Sequence, residues 1–147
     1  MPRDVGVIIV AAGKGTRLGG GPLKQYRRLA GVPVVLRALR PFTSHPDIAQ
    51  VALVLPPGEV TAPPDFLAEL RGPALLLVPG GAERRDSVAA GLGALHEDCA
   101  VVLVHDGARP FVDRDVIDGV IRGARAGEGA IGIEHVGCLR RCITHRS

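Results

Sequence analysis

With 147 residues, 46% of them hydrophobic but only 3% aromatic, the chain suits one compact domain with a core of Val, Leu, Ile and Ala, which favours buried parallel strands over an aromatic-rich sandwich. Its net charge of +3 is uneven: residues 1–40 carry eight Lys/Arg against Asp4 alone, residues 41–137 carry seven against fourteen acids, and the last ten residues add three Arg. That distribution suits a small anionic ligand held in one place or, more plainly, an excess of surface Arg, and with so few aromatics to stack bases it does not describe a nucleic-acid surface.

Val5 to Ala11 is a short continuous apolar run and predicts a buried strand. Residues 12–22 are glycine-rich and cationic. Val34 to Leu39 predicts a helix opened by Pro33 and closed near Pro41. Val51 to Leu55 is a second strand, stopped by Pro56-Pro57. Asp65 to Arg71 is a short helix with Asp65 as N-cap, and Ala74 to Val78 a third strand. Residues 84–95 place Val88, Leu92 and Leu95 on one helical face. Ala100 to Val104 is a fourth strand. Asp113 then caps a helix whose Val116, Ile117, Val120, Ile121 and Ala124 form an apolar stripe. This alternation predicts an α/β fold, a doubly wound, mostly parallel sheet with helices on both faces, Rossmann-like in its connections. Ligands in such folds sit beyond the carboxyl ends of strands, so the loops after strands one, three and four form the candidate site.

The first loop runs Ala11-Ala12-Gly13-Lys14-Gly15-Thr16-Arg17 and on to Pro22-Leu23-Lys24-Gln25. Its glycines let backbone N–H groups close on phosphate oxygens while Lys and Arg neutralise charge. The alternative is a tight turn with exposed charges. Two phosphate motifs are excluded. A P-loop needs Gly at position 8 and Ser or Thr at 15, where Ile8 and Gly15 stand; a dinucleotide fingerprint needs Gly at 18, where Leu18 stands.

The second loop is Gly80-Gly81-Ala82-Glu83-Arg84-Arg85-Asp86-Ser87. It is either an ordinary helix start, with Glu83 near the positive dipole end, or a place where a base or ribose approaches glycine backbone, faced by Arg84 and Ser87. The third, Val104-His105-Asp106-Gly107-Ala108-Arg109-Pro110, puts an Asp directly after a buried strand. There it either holds a metal ion against phosphate oxygens or caps a turn. His105 reads as structural.

Together, Ala11-Ala12-Gly13-x-Gly15-x-Arg17 with Lys24-Gln25, then Gly80-Gly81-x-x-Arg84-x-x-Ser87-Val88, then Val104-His105-Asp106-x-Ala108-Arg109-Pro110 resemble 2-C-methyl-D-erythritol 4-phosphate cytidylyltransferases, from about residue 5 to residue 130. The first motif alone marks only the wider sugar-nucleotide transferase class. The resemblance implies a homodimeric enzyme of the non-mevalonate isoprenoid route that moves CMP from CTP to a polyol phosphate with Mg²⁺. It implies that Arg17 and Lys24 contact the triphosphate and stabilise the transition state, and that Ala11, Ala12, Gly13 and Gly15 line the phosphates and base. Gly80, Gly81, Arg84 and Ser87 would complete the cytidine pocket. Asp106 would serve the metal and nucleotide, with Ala108 beside it and Arg109 turned to the methylerythritol phosphate. Two positions depart from the family: Leu23 separates Pro22 from Lys24, and Gly107 stands where Ala is usual. Ribitol-phosphate cytidylyltransferases share much of this wording and are the alternative within the class.

After Gly129 the family wording stops. Residues 130–147 are basic and cysteine-bearing without strand-length alternation. They read as a truncated or frame-shifted product that lacks acceptor residues and the dimer arm. The expected division is a nucleotide-binding domain over 1–129 and an atypical tail over 130–147. Such a tail should pack poorly and either expose apolar surface on the helix bearing Val116, Ile117, Val120 and Ile121 or leave a sheet edge unpaired. A weak or inactive nucleotide-binding fragment is thus the alternative to an active enzyme. Cys99, Cys138 and Cys142 match no zinc spacing. Asp4 before a short apolar run is unlike a signal peptide, and no stretch approaches the ~20 apolar residues of a membrane span. A soluble cytoplasmic protein without membrane or nucleic-acid partners is expected.

Overall fold

The computed structural model describes residues 3–12, 26–107, 112–126, 132–133 and 138–144. In chain order the elements are β1 (Val5–Val10), β2 (Arg28–Leu29), β3 (Val32–Pro33), α1 (Val34–Thr43), β4 (Ile48–Leu55), α2 (Pro57–Thr61) and α3 (Asp65–Ala68). They continue with β5 (Leu75–Pro79), α4 (Arg84–Ala94), β6 (Val101–Asp106), α5 (Arg114–Arg125), β7 (Gly132–Ile133) and β8 (Cys138–Thr144). The main sheet runs β5-β4-β1-β6-β8-β7. Its four strands from β5 to β6 are mutually parallel, whereas β8 runs antiparallel to both β6 and β7.

Every residue of β1 is buried. That is the consequence of continuous apolar runs: a parallel strand covered on both faces has no polar side to write. Alternation sorts the side chains into two layers. Val5, Val7 and Ile9 join Val35, Leu39 and Phe42 of α1 and Ile117, Val120 and Ile121 of α5. Ile8 and Val10 join Val54, Val78 and Val104 on the other face, under Val88 and Leu92 of α4. Each fully buried Val, Leu, Ile or Phe contributes roughly 1.5–3 kcal/mol against exposure. The doubly wound α/β architecture expected from the alternation is therefore the one observed. Among the described residues, no helix is long and apolar enough to cross a membrane.

Several boundaries differ from expectation, each for a local reason. Helix α1 continues through Pro41 to Thr43 because Phe42, fully buried, anchors its last turn in the core. Pro56-Pro57 does not merely stop β4; Pro57 opens α2 at its first position, where the missing N–H costs nothing. Asp65 is not the N-cap of α3. Pro64 holds that position, and Asp65 is the first helical residue. Asp113 occupies the N-cap of α5 but makes no side-chain capping bond.

The expectations for the tail are corrected more deeply. Residues 138–144 form a strand, and its backbone lies on β6 from Val101↔Thr144 to His105↔Leu139. The edge of β6 is paired. The stripe on α5 is not exposed either: Ile117, Val120, Ile121 and Ala124 are all buried.

Candidate active site

β1 lies between β4 and β6, although the chain visits β4 and β5 on one side before crossing to β6 on the other. Beside β1 the winding reverses, and helices leave to opposite faces, so a crevice opens beyond the carboxyl ends of the strands. Three backbone bonds stitch this edge into a ledge. Ala11 N–H donates to Val54 O (2.8 Å), Gly80 N–H to Leu55 O (2.8 Å) and Gly107 N–H to Val10 O (2.9 Å). The ends of β1, β4, β5 and β6 are thereby held in one register.

A cleft of about 390 Å³ sits on this ledge, with Ala12, Gly81, Arg84, Ser87 and Asp106 among its lining residues. Those five come from all three loops singled out in the sequence. Asp106 is the last residue of β6 rather than a loop residue; its pairing opposite Val10 fixes where its carboxylate enters the cleft. Ser87 is 2% exposed, in the first turn of α4. Arg84, the first residue of α4, is exposed and makes no ion pair among the described residues, whereas its neighbour Arg85 is bound to Glu83 at 2.8 Å. Arg84 thus presents a cation outside any ion pair among the described residues at a helix N-terminus, a setting that attracts anions.

Gly81 lines the cleft, whereas Gly80 is not among its lining residues and lies against Ala12 and Ser87, which are. A Cβ at Gly80 would collide with Ala12 Cβ and lie 2.8 Å from Ser87 Oγ. A Cβ at Gly81 would collide with Asp86 Cβ. Asp86 has its own task there, accepting the Glu83 backbone N–H at Oδ2 (3.0 Å) and so capping α4.

Ala11 is not on the cleft surface. It is 6% exposed, belongs to the core, and its amide donates to the Val54 carbonyl. His105 faces the opposite layer, with its ring 5.2 Å from that of Phe42. Gly13, Gly15, Arg17, Lys24, Ala108 and Arg109 lie outside the described residues.

The sequence reading passed over Val10, Pro56, Pro57, Ala82 and Glu83, which also line the cleft. The prolines carried a signal. They follow a parallel strand at its carboxyl end, where the same topological rule applies as for the other three loops. A prolyl pair there makes a wall with two fixed φ angles.

A model of the IspD family, 2-C-methyl-D-erythritol 4-phosphate cytidylyltransferase, matches residues 5–137. The chain belongs to this family. The match passes Gly129 by eight residues, so the family likeness extends into the segment where the motifs give out. A 2-C-methyl-D-erythritol 4-phosphate cytidylyltransferase of Roseobacter denitrificans is 45% identical over 126 residues, covering 86% of this chain and 55% of that protein. The bifunctional enzyme IspD/IspF of Desulforudis audaxviator is 48% identical over 124 residues, covering 83% of this chain and 31% of its own length. The crystal structure of the Thermus thermophilus cytidylyltransferase superposes with a TM-score of 0.66 at 34% identity, over 87% of this chain and 53% of that one. The chain therefore spans about half the length of its single-function cytidylyltransferase relatives.

Proposed function

We propose that the chain carries the nucleotide-binding part of an enzyme that transfers CMP from CTP to 2-C-methyl-D-erythritol 4-phosphate and releases pyrophosphate. The observation that carries this reading is the cleft at the switch point of the sheet, where Ala12, Gly81, Arg84, Ser87 and Asp106 converge in a chain of the cytidylyltransferase family.

The chemistry asks little of the protein beyond placement and charge. An oxygen of the acceptor phosphate forms a bond to the α-phosphorus of CTP, the bond from that phosphorus to the β-bridging oxygen breaks, and its electron pair leaves with pyrophosphate. The attacking oxygen is already ionised near neutral pH, so alignment and neutralisation dominate. Ser87 and the Gly80-Gly81 loop take the cytidine. Arg84 meets negative charge at the cleft rim, and Arg17 and Lys24 neutralise the triphosphate. Arg109, beside Ala108, takes the acceptor phosphate. Among the described residues no group of three His, Cys, Asp or Glu stands together. A single cleft carboxylate, Asp106, nevertheless fits Mg²⁺, which typically uses one or two carboxylates and fills its shell with phosphate oxygens and water. Bound there, Mg²⁺ would supply charge neutralisation on the phosphates.

Calorimetry with CTP, ATP and GTP, each with Mg²⁺, tests the nucleotide. CTP is expected to bind in preference; equal affinity for all three, or none, overturns the reading. Pyrophosphate release tests the acceptor. Release with methylerythritol phosphate supports the reading, release with ribitol phosphate instead replaces the acceptor, and CTP binding without release identifies a binding fragment.

A further inference from the structure

The end of the sheet opposite the nucleotide cleft holds a second cleft, also of about 390 Å³. Its floor comes from Ile48 and Leu75, at the amino ends of β4 and β5, and its walls include Leu36 of α1 and Phe66 of α3. Leu70 stands at its side with 49% of its surface open, the more exposed of the two large apolar residues left open among the described residues. The volume lies within the range of about 300–1,000 Å³ typical of small-molecule sites.

Three charged residues complete the lining: Arg3, Arg40 and Glu69, all exposed. Arg3 donates from Nη2 to the Ile48 carbonyl at 3.0 Å, which fixes its guanidinium at the cleft. Among the described residues none of the three is in an ion pair. Two guanidinium groups against one carboxylate leave a single net positive charge beside an apolar recess. Guanidinium pairs with carboxylate through two parallel hydrogen bonds.

We propose that this cleft binds a small amphiphilic monoanion, an apolar chain or ring that carries one carboxylate. The apolar part lies against Leu36, Phe66 and Leu70, and the carboxylate meets Arg3 and Arg40. Glu69 makes the site selective for a single negative charge over the two of a phosphate monoester. The nucleotide cleft lies at the far ends of the same strands, so occupancy here does not obstruct it, and the proposal stands apart from the cytidylyltransferase reading.

The chain supplies its own reporter. It has one tyrosine and no tryptophan, and Tyr26 packs edge-on against Phe66, with ring centroids 5.9 Å apart and planes at 87°. Tyrosine emission is followed while octanoate, 1-octanol, octylammonium and octyl phosphate are titrated separately into the full chain. Octanoate is expected to give a saturable change, with the other three binding at least roughly tenfold more weakly. Arg40→Glu, which turns the cleft net negative at an exposed position, is expected to weaken octanoate by roughly tenfold or more. Leu70→Asp, also exposed, should weaken it as well, and far-ultraviolet circular dichroism checks that both variants remain folded. Absence of saturation, octanol binding as well as octanoate, tighter binding of octyl phosphate, or an Arg40→Glu variant with unchanged affinity each overturns the proposal.

Discussion

Gly80 and Gly81 are neighbours in sequence, yet each is a glycine for the sake of a different side chain. Ala12 and Ser87 need the space above Gly80, and the Asp86 cap needs the space above Gly81. Gly80→Ala is therefore expected to destabilise the fold by about 1–3 kcal/mol through overpacking and to weaken CTP binding, as thermal unfolding and calorimetry will read. Gly93→Ala is the control: a Cβ there meets nothing within 4 Å, so the helix should gain about 0.5–1 kcal/mol. If both variants behave alike, the steric account of Gly80 is wrong. If Arg17 and Lys24 neutralise the triphosphate as proposed, Arg17→Ala or Lys24→Ala in a complete enzyme should lower turnover more than it weakens CTP binding, because such contacts strengthen as charge builds on the leaving pyrophosphate. A rise in KM at unchanged kcat would refute that role. The motifs named half of the residues that line the cleft in advance, but not these distinctions. Sequence spacing brought Ala12, Gly81, Arg84, Ser87 and Asp106 to one edge, whereas the burial of Ala11 depends on Val54, more than forty residues away in the chain.

At the scale of elements, helix α4 is the piece that aims the second loop. Its N-terminus is held by Asp86 Oδ2 on the Glu83 amide, 3.0 Å away, and its first residues carry both Arg84 and Ser87. Asp86→Ala should cost about 0.5–2 kcal/mol, the usual loss on removing an N-terminal capping group. It should also loosen CTP binding more than an exposed substitution elsewhere on α4 does, for example Arg85→Ala; equal effects in paired titrations would separate capping from nucleotide binding. Elements with strong internal signals were legible: β1, β4, β5 and β6 announce themselves as apolar runs, and α5 as a stripe. The hairpin of β2 and β3 was not. Its turn places Ala30 at φ 51° and Gly31 at φ 80°, and alanine is a residue that rarely signals a left-handed turn. The last turn of α1 was hidden in the same way, because tertiary burial of Phe42 overrides the local veto of Pro41.

For the whole molecule, the sheet extends past the last segment that the sequence makes intelligible. β8 contains adjacent Arg140 and Arg141, which break apolar alternation, so its identity as a strand rests on its long-range backbone pairing with β6. That pairing covers the edge of the strand that ends in Asp106. An uncovered edge offers unpaired N–H and C=O groups to another chain. A variant ending at residue 129 is therefore expected to unfold at lower temperature than the 147-residue chain and to associate as its concentration rises. Thermal unfolding and size-exclusion chromatography over a concentration series measure the two effects. Because Val10↔Asp106 pairing on the other side of β6 is untouched by the deletion, CTP affinity measured below the association threshold should fall less than stability does. A shortened chain that stays monomeric with an unchanged melting temperature would mean that β8 adds nothing to the sheet and that the division at residue 129 marks a true domain boundary.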